Sequence, residues 1–130
     1  MEKQKQISTK TIYGRKSGLS EHSIQNLIRM ELAQRGYPTF RANVGKVRTS
    51  DGRYFDTGLP RGFSDLFGFR PDGQIFFIEV KNETGRLRPE QEKFIERMRK
   101  FGALAGVARS VEDALDIVGG KANETIRQHN

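Results

Sequence analysis

The sequence predicts a single α/β domain, because segments with helical periodicity alternate along the chain with short apolar segments typical of β-strands. Its 130 residues suffice for one compact domain and are too few for two ordinary ones. The 35% hydrophobic and 30% charged residues are a balance typical of a globular domain and not of a disordered chain. The predicted order is a helix, three strands in a meander, a second helix, a further strand and a third helix.

Helical segments are indicated by apolar residues that share one face and by residues that favour helix ends. The first is predicted over residues 21–35, with Ser20 as its N-cap and a glycine as its stop signal. The second begins at Pro89, since proline suits a first helical turn, and Phe101 is the last residue of its apolar face. The third runs to Val118, where two glycines end it.

Strands are predicted over residues 65–69, 74–80 and 103–108, and residues 39–47 are β-prone and lead through a turn into residues 53–55. Asp51-Gly52 is a strong hairpin turn, and Pro71-Asp72-Gly73 ends the strand that follows the Gly- and Pro-rich loop at 56–64. Residues 74–80 are the most hydrophobic run in the chain. They are therefore predicted to form a central strand buried on both faces.

The chain is strongly basic, with 23 Lys and Arg against 16 Asp and Glu and a formal net charge of +7. Such an excess attracts polyanions, so nucleic acid is the expected partner, although many small proteins are merely basic. Residues 1–18 carry basic side chains without periodicity and are predicted to be an N-terminal arm that either touches phosphates or is a solvated tail. The domain itself is expected over residues 19–130.

Several kinds of site are excluded by composition. The chain has no cysteine, and its histidines, His22 and His129, are far apart in sequence, so neither a disulfide nor a Cys- or His-rich metal site is expected. Any catalytic metal should be held by oxygen ligands, which favours Mg²⁺ or Mn²⁺. No apolar stretch is long enough for a membrane span or a signal peptide, so we expect an intracellular protein.

The residues that indicate chemistry are Asp65 on one predicted strand and Glu79-Val80-Lys81 at the end of the next. Side chains alternate along a strand, so Glu79 and Lys81 point to the same side, and a hairpin would bring Asp65 beside Glu79. Two carboxylates and a backbone carbonyl such as that of Val80 offer a hard cation an oxygen-rich site.

Such a site suits hydrolysis of a phosphodiester. Lys81 would orient or deprotonate the attacking water, or neutralise the phosphate, and the sequence leaves these roles open. An exposed Glu-x-Lys at a strand end usually means solvated charges. Here, however, Glu79 follows a run of mostly apolar residues, and a charge at the rim of a buried strand is unfavourable unless a metal or partner offsets it.

Residues 62–66 (GFSDL), residues 77–81 (FIEVK) and Gln91 together resemble the PD-(D/E)XK nuclease superfamily, and within it the stand-alone VRR-NUC nucleases of bacteria and phages. The resemblance covers roughly residues 20–119 and includes the GVARS stretch at 106–110. One departure is Ser64, which stands where the superfamily has a proline.

The resemblance implies a restriction-endonuclease-like α/β fold, with a mixed sheet flanked by helices, and a DNA endonuclease that requires Mg²⁺ or Mn²⁺. It further implies a cytoplasmic homodimer, of a bacterial cell or encoded by a phage in its host, that acts on branched DNA, including four-way (Holliday) junctions. Asp65, Glu79 and the Val80 carbonyl match the metal ligands, and Lys81 matches the catalytic lysine.

Two more residues are assigned by the same resemblance. In this family a glutamate from the first helix joins the site; Glu21 fits that place best, and Glu31 is the fallback. Gln91 is similar to the family's supporting polar residue, and its alternative interpretation is an ordinary exposed helix residue.

Basic residues around the site are predicted to contact nucleic-acid phosphates: Arg41, Lys46, Arg48, Arg53, Arg61, Arg86 and Arg88. Tyr54 and Phe63 are expected in the core, with stacking on an unpaired base as the alternative. Two other functions fit the same residues, namely a DNA-binding recruitment module without catalysis and an RNA-processing endonuclease of the same fold.

Overall fold

The computed structural model describes residues 18–123 of the chain, so the predicted N-terminal arm lies outside the described residues except for Gly18. In chain order, the elements are α1 (Glu21–Gln34), β1 (Thr39–Arg41), β2 (Lys46–Arg48), β3 (Tyr54–Asp56), β4 (Leu66–Phe69), β5 (Ile75–Val80), α2 (Pro89–Lys100), β6 (Leu104–Ala108) and α3 (Val111–Val118). In the part of the chain that the structure describes, no helix has the length and apolarity to cross a membrane.

The helices begin and end where their capping residues predict. The Ser20 side chain accepts a hydrogen bond of 3.1 Å from the backbone N–H of Ser23, which satisfies one of the free donors in the first turn of α1. Ser110 does the same for α3 by accepting from the N–H of Asp113. After α1 the chain turns at Gly36, whose φ of 78° favours glycine.

A four-stranded mixed sheet with the order β1-β4-β5-β6 forms the centre of the structure. The pairs β1–β4 and β4–β5 are antiparallel, whereas β5 and β6 are parallel and are joined through α2. Helices α1 and α3 pack on one face, and α2 packs on the other. This arrangement confirms the predicted α/β fold with a mixed sheet flanked by helices.

Strand β5 is buried on both faces, as its apolar run predicts. Phe76, Ile78 and Val80 belong to the core beneath α1 and α3, while Phe77 belongs to the core beneath α2. Because strand side chains alternate, Glu79 must lie on the same face as Phe77 and α2. The sheet thereby directs the acidic residue of β5 toward the start of α2.

An aromatic cluster fills the space between the sheet and α2. The Phe63 ring contacts those of Phe67, Phe77 and Phe94, at centroid distances of 5.9, 5.7 and 4.8 Å. Most of these rings meet edge to face or tilted, which are favourable geometries for aromatic pairs. The core role expected for Phe63 is therefore confirmed.

The predicted three-strand meander is wrong. Between residue 18 and α2 there are five strands, and two of them, β2 and β3, form a separate two-stranded sheet, called here the hairpin. Its turn contains Asp51-Gly52 as predicted, and every residue of both strands is exposed. Tyr54 on β3 is 69% exposed, so the core role expected for it is wrong. The main sheet instead takes β1 as its edge strand, paired with β4.

Phe101 also departs from its prediction. It is the C-cap residue of α2 and is 76% exposed, with the Arg97 guanidinium 5.9 Å from its ring centroid. The helix ends at Lys100, so the apolar face formed by Phe94, Ile95 and Met98 does not continue to residue 101.

We expect Gly68→Ala to destabilise the protein by about 2–3 kcal/mol, because a methyl group there has no space. A Cβ at Gly68 would overlap the Pro38 carbonyl oxygen and approach Phe76 Cζ to 2.7 Å and Thr39 Cα to 3.0 Å. Gly73→Ala is the control: nothing lies within 4 Å of its Cβ position, so only its positive φ opposes the change, by about 1 kcal/mol. Urea unfolding of both variants measures the difference, and equal losses would contradict the packing argument.

Candidate active site

The pairing of β4 with β5 brings Asp65 beside Glu79. Leu66 pairs with Ile78 in this ladder, so Asp65, which precedes Leu66, is level with Glu79. The Oδ2 atom of Asp65 accepts a hydrogen bond of 2.8 Å from the backbone N–H of Val80. The first carboxyl group is therefore held at the end of β5, on the side predicted from the sequence.

The Glu79 carboxyl is almost completely buried, with 2% of the residue exposed. Its Oε2 accepts a hydrogen bond of 3.2 Å from Gln91 Nε2, whereas its Oε1 has no hydrogen-bond partner among residues 18–123. Burial raises the pKa of Glu79 to about 9; a hydrogen bond to Asp65 and the charge of that residue add to the effect, and the Lys81 ammonium opposes it. The Glu79 carboxyl therefore keeps its proton to a higher pH than a solvated glutamate does.

Lys81 continues the line of β5 beyond the end of the strand. Its backbone N–H donates to the Ala108 carbonyl at 3.0 Å, which extends the pairing with β6 by one residue. Its Nζ lies 4.0 Å from Glu79 Oε2, and only 8% of the residue is exposed. The ammonium and both carboxyl groups therefore lie on one face of the sheet.

Gln91 connects α2 to this group of charges. Its Oε1 accepts a hydrogen bond of 2.9 Å from the backbone N–H of Arg88, and its Nε2 donates to Glu79. The residue is 5% exposed, so its interpretation as an ordinary exposed helix residue is wrong. The first turn of α2 thereby fixes the position of the Glu79 carboxyl.

Glu21, the first residue of α1, reaches the edge of the same group. A Cβ built on Gly85 would be 2.9 Å from Glu21 Oε2 and 3.3 Å from Lys81 Cδ, so the glutamate and the lysine flank this glycine. The charge of Glu21 is also one of the causes that raise the pKa of Glu79. Glu31 lies at the other end of α1, paired with Arg35 at 3.0 Å. The structure thus brings Glu21, and not the fallback Glu31, to the site.

Arg109, which belongs to the GVARS stretch, supports the loop beside the candidate site. Its Nη1 donates to the backbone carbonyls of Asn82 at 2.5 Å and Gly85 at 2.8 Å. It thereby holds the loop at 82–85, whose glycine lies close to the side chains of Glu21 and Lys81. The sequence indicates this loop contact only by a basic residue that directly follows strand β6.

The oxygen atoms at this site fit a hard divalent cation as ligands. The N–H and C=O of a residue in an extended strand point to the same edge, so the Val80 carbonyl faces the side of Asp65. The buried, unpaired Glu79 Oε1 is an acceptor that a cation would satisfy. Within residues 18–123 no three acidic or histidine side chains form a cluster able to hold a metal. Two carboxylates, a backbone carbonyl and water are therefore the available ligands.

The basic residues predicted to contact phosphates are all exposed. Lys46, Arg61 and Arg88 line one groove of about 580 Å³ between the base of the hairpin and the start of α2, called here the hairpin groove. The remaining four lie outside its lining, on β1, on the hairpin and in the loop before α2: Arg41, Arg48, Arg53 and Arg86.

We expect Glu79→Gln to raise the free energy of unfolding of the metal-free protein, by more than about 1 kcal/mol at pH 8. The folded protein keeps the Glu79 proton up to about pH 9, whereas the unfolded chain releases it near pH 4.5. The wild type therefore loses stability as the pH rises through this interval, and the amide, which does not titrate, does not. Urea unfolding at pH 5 and pH 8 in chelator, with the exposed Glu92→Gln as control, measures the effect. A gain of equal size at both pH values would contradict the assignment.

Comparisons with known proteins identify the family of the chain. A sequence model of the VRR-NUC domain matches residues 19–112, well over half of the chain. A search of curated proteins finds no match. A solved structure described as a VRR_NUC domain is 25% identical to this chain, with a TM-score of 0.56 over 78% of this chain and 97% of its own. Members of the VRR-NUC family are in general divalent-metal-dependent nucleases. The chain therefore belongs to the VRR-NUC family of nucleases, within the PD-(D/E)XK superfamily.

Proposed function

We propose that the protein is a divalent-metal-dependent endonuclease that hydrolyses DNA phosphodiester bonds. The observation that supports this most directly is the convergence of Asp65, Glu79 and Lys81 at the end of β5, where one buried oxygen of Glu79 has no partner among the described residues. A carboxyl group buried in this way is unfavourable for folding alone, so its presence favours a role in binding a cation and a phosphate.

Each residue of the site has a distinct task in this proposal. Asp65 and Glu79 would hold the cation, which would supply polarisation of a phosphoryl oxygen and a lowered pKa of a bound water molecule. Lys81 lies 4.0 Å from Glu79, so its ammonium is placed to orient the attacking water and to offset charge on the phosphate. Gln91 keeps the Glu79 carboxyl in position through its amide. Glu21 supplies a further acceptor beside Lys81.

The proposed substrate is branched DNA, including four-way junctions, and the proposed assembly is a cytoplasmic homodimer. Both rest on the resemblance to stand-alone VRR-NUC nucleases. The net charge of +7 supports a nucleic-acid substrate through its attraction for phosphates. In a symmetric dimer a two-fold axis relates two equivalent sites, which suits the cutting of paired strands at a junction.

We expect Asp65→Asn and Lys81→Ala each to lower the cleavage rate by at least about 100-fold, while DNA binding in chelator is kept. The test is one panel of linear duplex, flap, single strand, four-way junction and matched RNA, each with Mg²⁺, Mn²⁺ or chelator. Asp116→Asn and Lys100→Ala remove the same groups from exposed positions and serve as controls.

The outcomes of this panel separate the alternatives. Wild-type cleavage by either site variant would overturn the site assignment. Binding without cutting at any metal concentration would identify a recruitment module, and a preference for RNA would identify an RNA-processing enzyme. Light scattering that gives the mass of a monomer at working concentration would contradict the dimer and leave the nuclease proposal standing.

Glu21→Gln is expected to lower the cleavage rate by about 10-fold or more, because it removes a charge beside Lys81. Glu31→Gln is the matched control, since it makes the same change on the same helix about 15 Å away. Initial rates at saturating Mg²⁺ on the best substrate of the panel compare the two variants. Equal rates for both would remove Glu21 from the site.

A further inference from the structure

The hairpin groove contains three cations on two sides. Lys46 lines it from β2, and Arg61 and Arg88 line it from the loop before β4 and the start of α2. Asp56 also lines the groove, and its Oδ1 accepts a hydrogen bond of 2.9 Å from the backbone N–H of Gly58. The side chains of Arg61 and Arg88 are 78% and 58% exposed, so solvent and solutes reach both guanidinium groups.

A single carboxylate oxygen lies between the two arginines. Glu90 Oε1 is 3.8 Å from Arg61 Nη2 and 3.6 Å from Arg88 Nε. These distances are longer than those of a hydrogen bond, so Glu90 leaves the N–H donors of both guanidinium groups available. Exposed ion pairs of this kind contribute about 0–1 kcal/mol, so an incoming anion separates them easily.

The groove is joined to the candidate active site through the backbone. Arg61 and Asp65 lie on the same short segment, which is pressed against α2, since a Cβ on Gly62 would overlap the Glu90 carbonyl. On the other side, the backbone N–H of Arg88 donates to Gln91, whose amide donates to Glu79. Both arginines are therefore fixed relative to the two carboxyl groups of the site.

We propose that the hairpin groove binds the phosphodiester backbone of the nucleic acid next to the scissile bond, and that Glu90 is an internal counterion that the entering phosphate displaces. This proposal rests on the proposed nuclease function. Guanidinium groups bind phosphate through paired N–H donors, which a carboxylate at more than 3.5 Å does not occupy. Glu90 partly neutralises the two arginines in the free protein and weakens binding, because its negative charge repels the entering phosphate.

The test measures equilibrium binding of fluorescein-labelled duplex DNA and matched RNA by fluorescence anisotropy. The salt concentration is varied from about 50 to about 200 mM, a range over which affinity due to phosphate contacts falls strongly. All proteins carry Lys81→Ala and are kept in chelator, so that no substrate is cut. Arg61→Ala and Arg88→Ala should each weaken binding about 3- to 10-fold. Each should also reduce the slope of the logarithm of the binding constant against the logarithm of the salt concentration by about one. Glu90→Gln should tighten binding about 2- to 5-fold, and a misfolded protein would not produce this gain.

Matched controls separate the groove from the net charge. Lys100→Ala removes a cation from the far end of α2, and Glu92→Gln removes an acid from the same first turn as Glu90. The proposal is overturned if either arginine variant binds as tightly as Lys100→Ala, or if Glu90→Gln binds no more tightly than Glu92→Gln. If the groove variants change binding as expected but the wild type cuts no substrate of the cleavage panel, only the proposed function is refuted. If the wild type cuts but the groove variants bind like their controls, only the groove proposal is refuted.

Discussion

The buried carboxyl group of Glu79 is the constraint on which the arrangement of the surrounding elements depends. An ionisable group with 2% exposure and one unpaired oxygen destabilises a fold unless its neighbours compensate. Here Asp65, just before β4, contributes a second carboxyl, α2 contributes the Gln91 amide, and Lys81, just after β5, contributes an ammonium. Each of these elements is in turn fixed by contacts to the apolar core, so the position of one acidic side chain is determined from three directions.

The aromatic cluster explains how this polar group is kept in a defined geometry. Phe63 and Phe67 flank Asp65 in sequence, and Phe77 lies two residues before Glu79 on the same face of β5. Close packing of these rings against Phe94 of α2 leaves little freedom to the strand ends that carry the acids. The apolar and polar parts of this face are therefore continuous: the core beneath α2 ends where the candidate site begins.

Local patterns in the sequence predicted much of this architecture, but they did not predict which strands distant in sequence pair with each other. Two-residue alternation placed Glu79 and Lys81 on one face, and capping residues located the helix ends, because both depend on neighbours within a few positions. The pairing of β1 with β4 and the separation of the hairpin depend on strands distant in sequence, which no local pattern specifies. The burial of Gln91 required knowing which face of α2 meets the sheet. The contacts of Arg109 likewise join segments more than twenty residues apart.

The bond network of Arg109 has a consequence for the order in which the domain is made. Its guanidinium reaches back from the end of β6 to the carbonyls of Asn82 and Gly85. During synthesis Asp65 and Glu79 leave the ribosome before β6, which is the parallel neighbour of β5, and before Arg109. Parallel pairing across a helical crossover also forms later than a local hairpin. A nascent chain that already contains Asp65 and Glu79 therefore still lacks the contacts that hold the loop at 82–85, and these form only once β6 has paired with β5.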